Sequence, residues 1–266
     1  MCWDISLRTD IELVKQSYPK IRDERKRIDY DYTYFENVQA ITFPNYPILY
    51  RDKESGDLGL VEMEWGVLPS YIKDAKLQTD RRRNMVNVRS ERILEDKKSY
   101  WYRLRNQRCL IPVSGTYEHR KINGWKKKVP YFIAEKGRDL FYLPGLYQWH
   151  ETIDVDGVVE KVGSFGMLTR AANNVMANIH NDGPNKHRMP LFLPNDLEEL
   201  WLSDISDEEM MPILNFEIAE KDLSYHPVYT LRGYPNRPDD GHRYDTFDWD
   251  GLPPLGTDKP IENTLF

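Results

Sequence analysis

Residues 131–169 read YFIAEKGRDLFYLPGLYQWHETIDVDGVVEKVGSFGMLT. Three apolar runs rich in β-branched and aromatic residues follow one another there, at 131–135, 140–147 and 165–169. Short turns join them, with no regular helical crossover. Asp156-Gly157 between apolar runs is a hairpin signal. Outward from this stretch the pattern repeats. Strand-like runs lie at 85–89 and 109–113, and residues 38–51 read as an extended segment broken by prolines. Val61, Met63 and Trp65 alternate with Glu62 and Glu64, the mark of a half-buried strand. Helices are expected at 91–104 and 173–180, and at 10–24 behind a capping box of Thr9 and Glu12. Two more are expected after boxes of Asn195 with Glu198 and Ser206 with Glu209. The whole predicts an α+β fold: one domain over 1–232 with a curved, largely antiparallel, barrel-like β-sheet core and peripheral helices. Residues 233–266, rich in Pro, Gly and Asp, are expected to form an irregular acidic tail.

Composition narrows the function classes. The 266 residues carry a net charge of −6, and 40% hydrophobic with 12% aromatic content is enough for a sizeable core. No run reaches bilayer-spanning length, and residues 1–30 hold no secretory apolar stretch. Two cysteines, Cys2 and Cys109, without a CxxC pair exclude a disulfide scaffold and a cysteine zinc site, so a reduced, cytoplasmic protein is expected. From Gly233 onward seven acidic and three basic residues give the tail −4, leaving the body almost neutral. Basic residues cluster within the body at 81–83, 89–92, 103–108 and 126–128, either as solvated faces or as a local groove.

Four segments carry reactive groups. Removal of Met1 would leave Cys2 as a 1,2-aminothiol, whose amine titrates near ~8 and thiol near ~8.5. Such a pair condenses with an aldehyde to an imine and then closes a thiazolidine ring, which an internal cysteine cannot do. In NVRSE (87–91), Asn87 and Arg89 share one face of an alternating strand. RCLIPVSGTYEH (108–119) runs through Pro112 and Gly115 and delivers Glu118, and NKHRMPLFL (185–193) sets His187 and Arg188 before an apolar run.

Together these segments resemble the SOS-response-associated peptidase (SRAP) family, whose members act on abasic sites in single-stranded DNA. The resemblance runs through most of 1–232. It rests on Met1-Cys2, EWGVLPSY (64–71), NVRSE (87–91), CLIPVSGTYE (109–118), LPGLYQW (143–149), SFGMLTRAAN (164–173) and HRMP (187–190), in family order. It implies that Cys2 crosslinks to the open-chain aldehyde of the abasic sugar after Met1 is removed, including by self-processing. Glu118 is implied as the acid/base and His187 as the proton shuttle, with His180 as its rival. Asn87 would orient the Cys2 amine, Arg89 and Arg188 would hold phosphates, and Trp65 and Tyr71 would stack on or wedge against bases, with core packing the favoured alternative for Trp65. No metal and no organic cofactor is implied, and the partner is single-stranded DNA bound by a monomer. Departures from the family pattern are Cys2-Trp3-Asp4 in place of Cys-Gly-Arg and His119 in place of Trp. A cysteine peptidase acting on proteins and a non-catalytic DNA-binding module are the alternatives.

Overall fold

The computed structural model describes residues 3–25, 35–68, 72, 75–153, 157–232 and 237–257. Its strands begin with β1 (Asp4–Leu7), β2 (Arg22–Asp23), β3 (Phe35–Gln39), β4 (Asn45–Arg51), β5 (Leu58–Trp65) and β6 (Asn87–Arg89). They continue with β7 (Arg108–Val113), β8 (Gly115–Arg120), β9 (Val129–Glu135), β10 (Phe141–Ile153), β11 (Val159–Ala171), β12 (Arg188–Pro190) and β13 (Leu223–Pro227). The helices are short: α1 (Glu12–Ser17), α2 (Ala75–Arg82), α3 (Glu91–Leu94), α4 (Tyr100–Leu104), α5 (Asn174–Ile179), α6 (Asn195–Leu202) and α7 (Asp207–Leu214).

The strands make two curved sheets. In one, the order β11-β10-β7-β4-β5 closes on itself, because β5 also pairs with β11 in parallel at Glu64↔Ser164 and Trp65↔Phe165. All other joints of this five-stranded barrel are antiparallel. Closure leaves the ring no free edge. At the parallel joint Trp65 stacks on Phe165 with centroids 6.0 Å apart, and its Nε1–H donates to the Val86 carbonyl at 2.9 Å. The second sheet runs β13-β9-β8-β1-β3 and is antiparallel throughout. The α+β fold with a barrel-like core is the one expected from the alternation.

The chain passes between the sheets at two points that position the site. β7 and β8 are separated by Ser114 alone. That corner is stitched to β1: Ser114 N–H donates to the Ser6 carbonyl (2.7 Å), and Arg8 N–H donates to Ser114 Oγ (2.9 Å). Gly115 opens β8 because a Cβ there would stand 2.1 Å from Phe132 Cζ. The runs 131–135 and 140–147, neighbours in sequence, fall in different sheets: β9 pairs with β8 and β13, whereas β10 pairs with β7 and β11.

The β10–β11 hairpin forms with Ile153 opposite Val159, and Gly157 supplies a left-handed φ of 80° at its turn. Asp156 lies outside the described residues.

Several expected helices differ. The helix expected at 10–24 is only Glu12–Ser17, and its capping box is absent. Thr9 Oγ1 instead donates to the Asp139 carbonyl, while Asp10 Oδ1 accepts from Glu12 N–H. The stretch 91–104 splits into α3 and α4, with Ser99 capping the second piece. Of the two later boxes only Ser206–Glu209 forms. Glu198 is buried and binds the Arg138 guanidinium at 2.9 and 3.0 Å, a charge-assisted partner that outweighs a backbone cap. Residues 237–257 contain no helix, and their one strand-like contact is the bridge Val228↔Thr246. They lie as a strap on the second sheet, with Trp249 Nε1–H donating to the Val228 carbonyl at 3.0 Å.

Candidate active site

Glu118 lies in the middle of β8 and is 4% exposed. Burial pushes its carboxyl up to about 7, with the Asp4 carboxylate adding to the shift and Lys128 opposing it. Oε1 has no hydrogen-bond partner among the described residues, and Oε2 lies 3.9 Å from Nε2 of His180. His180 follows the last turn of α5 and is 7% exposed. The Arg188 carbonyl, 2.9 Å from Nδ1, can only accept, so Nδ1 carries the hydrogen and Nε2 presents a lone pair toward Glu118. Burial pushes this imidazole down to about 4 and keeps it neutral. The result is a carboxyl group that can give or take a proton at neutral pH, beside a neutral base.

Asp4 stands on β1 opposite Tyr117 of β8 and is 1% exposed. Burial pushes it up to about 6, although Arg232 and Asn37 pull it down. The Arg232 guanidinium meets Asp4 Oδ2 at 2.6 Å, so the acidic residue at the family's basic position is turned inward and carries its own cation. Arg232, Asn37 and Gln39 also line a cleft of about 690 Å³ along the outer edge of β3.

The segment from His180 to Arg188 gathers the other polar groups. It is closed by His187 N–H donating to the His180 carbonyl at 2.8 Å. Asn181 exchanges two hydrogen bonds with the Lys121 backbone, Asp182 pairs with Lys128 at 2.8 Å, and Asn185 accepts from Arg89 at 2.9 Å. The Lys121 backbone and the Lys128 and Arg89 side chains therefore meet one loop, and β6 puts buried Asn87 on the same strand face as Arg89. Within the other basic runs three arginines are structural. Arg82 donates to the Gly66 carbonyl and to Glu64, Arg105 to Asp207, and Arg108 to the Trp201 carbonyl.

Of the residues singled out in the sequence, Glu118 and His180 come together. His187 is exposed, with a left-handed φ of 61°, and its ring is not the one beside Glu118. Trp65 is fully buried and cannot stack on a base, and its period-2 neighbour Met63 is fully buried with it. Arg188 is not a free phosphate ligand, because Glu91 takes its guanidinium in a fork at 2.5 and 2.9 Å. Cys2 and Tyr71 lie outside the described residues. Cys109 is buried in the barrel, and burial pushes its thiol well up, so it is no nucleophile. Among the described residues no three His, Cys, Asp or Glu side chains gather as a metal would need, and no helix is long and apolar enough to cross a membrane.

Arg232 was missed by sequence reading, while Asp4 was noted only as a departure from the family pattern and Lys128 only within a basic run. The only signal was Asp4 at the head of an otherwise apolar strand, where a carboxylate requires a partner.

A family model described as SOS response associated peptidase (SRAP) matches residues 1–233. The abasic site processing protein YoqW of Bacillus subtilis is 29% identical over 193 residues, covering 72% of this chain and 79% of YoqW. The abasic site processing protein HMCES of Gallus gallus is 26% identical, covering 68% of this chain and 56% of its own. A crystal structure of a protein from Bacteroides thetaiotaomicron superposes with a TM-score of 0.72 at 26% identity, over 89% of this chain and 97% of that one.

Proposed function

The chain belongs to the SOS response associated peptidase family, and from that premise we propose that it processes abasic sites in single-stranded DNA through a covalent link to Cys2. The observation that carries this reading is Glu118, a buried carboxyl held at about 7 beside His180 on the strand next to β1. Cys2 precedes Asp4 by two residues, so covalent geometry keeps their Cα atoms within about 7.6 Å.

In this reading the Cys2 amine, freed by loss of Met1, attacks C1′ of the ring-opened sugar. Glu118 in its acid form protonates the ring oxygen while the C1′ hydroxyl gives its proton to water, regains a proton from the ammonium nitrogen formed when the amine adds, and passes it to the hydroxyl that leaves as water. The Cys2 thiolate adds to the resulting imine carbon, its electron pair forming the C–S bond while the imine nitrogen takes a proton. The net change is one water released per thiazolidine formed. Without ring closure an imine at C1′ promotes β-elimination of the 3′ phosphate, so the sulfur protects the strand. His180, neutral and with its Nε2 lone pair 3.9 Å from Glu118 Oε2, faces the acid form of that carboxyl and helps orient it, a role its buried ring suits better than the exposed ring of His187. Arg89, held at the loop from His180 to Arg188 by the neutral Asn185 side chain, supplies phosphate-facing charge. Self-processing of the Met1-Cys2 bond, with Glu118 as base, belongs to the same reading.

The test is a denaturing gel of the protein with a single-stranded oligonucleotide carrying one abasic site, with intact mass spectrometry to follow Met1. A heat-stable shifted band is expected, absent in Cys2→Ala and slowed tenfold or more in Glu118→Gln and His180→Ala, with His187→Ala near wild type. An adduct that persists in Cys2→Ala refutes the reading. Met1 retained in Glu118→Gln but lost in wild type marks self-processing.

A further inference from the structure

The strap of residues 237–257 lies beyond the stretch matched by the family model, yet it is fastened beside the candidate site. Its fastening point is Arg120, two residues after Glu118 and on the same face of β8. Arg120 is fully buried. Its guanidinium donates to the backbone carbonyls of Pro253 (2.9 Å) and Pro254 (2.7 Å), and to the Tyr131 hydroxyl (3.0 Å). Tyr131 is the β9 residue directly opposite Glu118, so its ring is the cross-strand neighbour of that carboxyl. A path therefore runs from the strap through the Arg120–Tyr131 hydrogen bond to the β9 position paired with Glu118.

The rest of the strap is built to hold this end in place. Trp249 packs between Trp125 and Tyr229, with centroids 6.3 and 6.1 Å away. Phe247 N–H donates to the Pro227 carbonyl at 2.9 Å, and His226 Nε2 donates to the Tyr244 carbonyl at 2.7 Å. Arg237 gathers the carbonyls of His242, Asp245 and Thr246, each at 2.8 Å. Beyond Pro254 the strap reaches α5: a Cβ on Gly256 would stand 3.6 Å from Asn178. The helix that ends at His180 is thus touched by the same segment.

We propose that the C-terminal strap is a working part of the site, and that Arg120 is a positioning residue through which the strap holds Glu118 buried and aimed. A buried guanidinium must be fully bonded to be tolerated, and here two of its acceptors come from the strap's backbone. Loosening the strap lets water reach Arg120 and, through the gap, Glu118. The ionisable groups around Glu118 are His180 at the end of α5, Asp4 on β1, Lys128 before β9, and Arg120 and Tyr131 on either side of the β8–β9 pairing. None of these except Arg120 bonds the strap through the contacts above. A loosened strap therefore acts on the solvation of Glu118 and not on its charged neighbours.

The inference rests on the function proposed above for Glu118, but its test reads the carboxyl directly. In full-length protein, the Glu118 carboxyl stretch is followed by infrared titration as a difference from Glu118→Gln, in wild type, Arg120→Met and Trp249→Ala. The wild-type midpoint near 7 is expected to fall by a unit or more in both variants. Crosslinking at pH 7 is expected to slow tenfold or more, since a small misplacement of an acid is costly. Trp249→Ala leaves β8 untouched and serves where Arg120→Met fails to fold. A folded Trp249→Ala that keeps the wild-type midpoint and the wild-type pH–rate profile overturns the proposal. No adduct from wild-type protein that has lost Met1 would instead sink the proposed function, with the infrared midpoint still reporting on the strap.

Discussion

Replacing Glu118 by Gln should stabilise the protein while removing its function, and the gain should depend on pH. Folding raises this carboxyl from an ordinary 4.5 to about 7, so the folded state binds more protons than the unfolded chain between those values. Stability is therefore lost as pH rises through this window and stays lost above it. A shift of about 2.5 units corresponds to roughly 3 kcal/mol at pH 8 and under about 0.5 kcal/mol at pH 4.5. Glu118 is 4% exposed, so solvent screening does little to reduce the figure. Glutamine keeps the shape and never ionises. The cost of burying its amide is the same at both pH values and cancels in the comparison. For a chain of 266 residues the pH 8 gain corresponds to roughly 6 °C in Tm. The assay is thermal unfolding of wild type and Glu118→Gln at pH 4.5 and pH 8. An increment of equal size at both pH values would refute the argument, because it would mean Glu118 is solvated in the native protein.

Three other substitutions test the surroundings. Arg232→Ala strips the cation from buried Asp4, whose folded value is already about 6. The loss should reach roughly 1–2 kcal/mol at pH 8 and fade below pH 5, as acid neutralises the Asp4 carboxyl, when followed by urea unfolding at both pH values. Glu91→Ala releases the Arg188 guanidinium at a stability cost of at most about 1 kcal/mol. Single-strand affinity should then rise, with the salt slope steeper by about 0.7 in a fluorescence-anisotropy titration. Trp65→Ala removes a fully buried ring stacked on Phe165. It should cost roughly 3–5 kcal/mol in denaturant unfolding, and any DNA defect should follow the folded fraction and not a lost base contact.

The strands were legible because alternation is a local property: Met63 and Trp65 are fully buried as the pattern requires, and β10 and β11 pair as a hairpin with Gly157 at a left-handed φ between them. Which sheet each strand joins was not legible. Residues 131–135 and 140–147 look alike, and what separates them is the turn between β9 and β10 together with the one-residue corner at Ser114. Polar roles were read correctly where partners are close in sequence, as at the Ser206–Glu209 box. They were misread where the partner is distant: Glu198 answers to Arg138 and Arg188 to Glu91, at separations of 60 and 97 residues. His180 and His187 were both candidates by spacing. Only burial, with the closure of the loop between them, sets His180 beside Glu118.

The pairing of β1 with β8 has a consequence for the order of events during synthesis. Asp4 meets Tyr117, a residue made 113 positions later. At about 5–20 residues per second, β8 follows β1 by on the order of 10 s. Through that interval the start of the chain has left the ribosome's catalytic centre, but the wall that carries Glu118 does not yet exist. An aminopeptidase working on nascent chains therefore reaches Met1 before the protein's own acid–base pair is assembled. The self-processing proposed above would then be left to the chains that escape that first encounter, and the fraction of Met1-bearing protein should depend on the host's aminopeptidase supply as well as on Glu118.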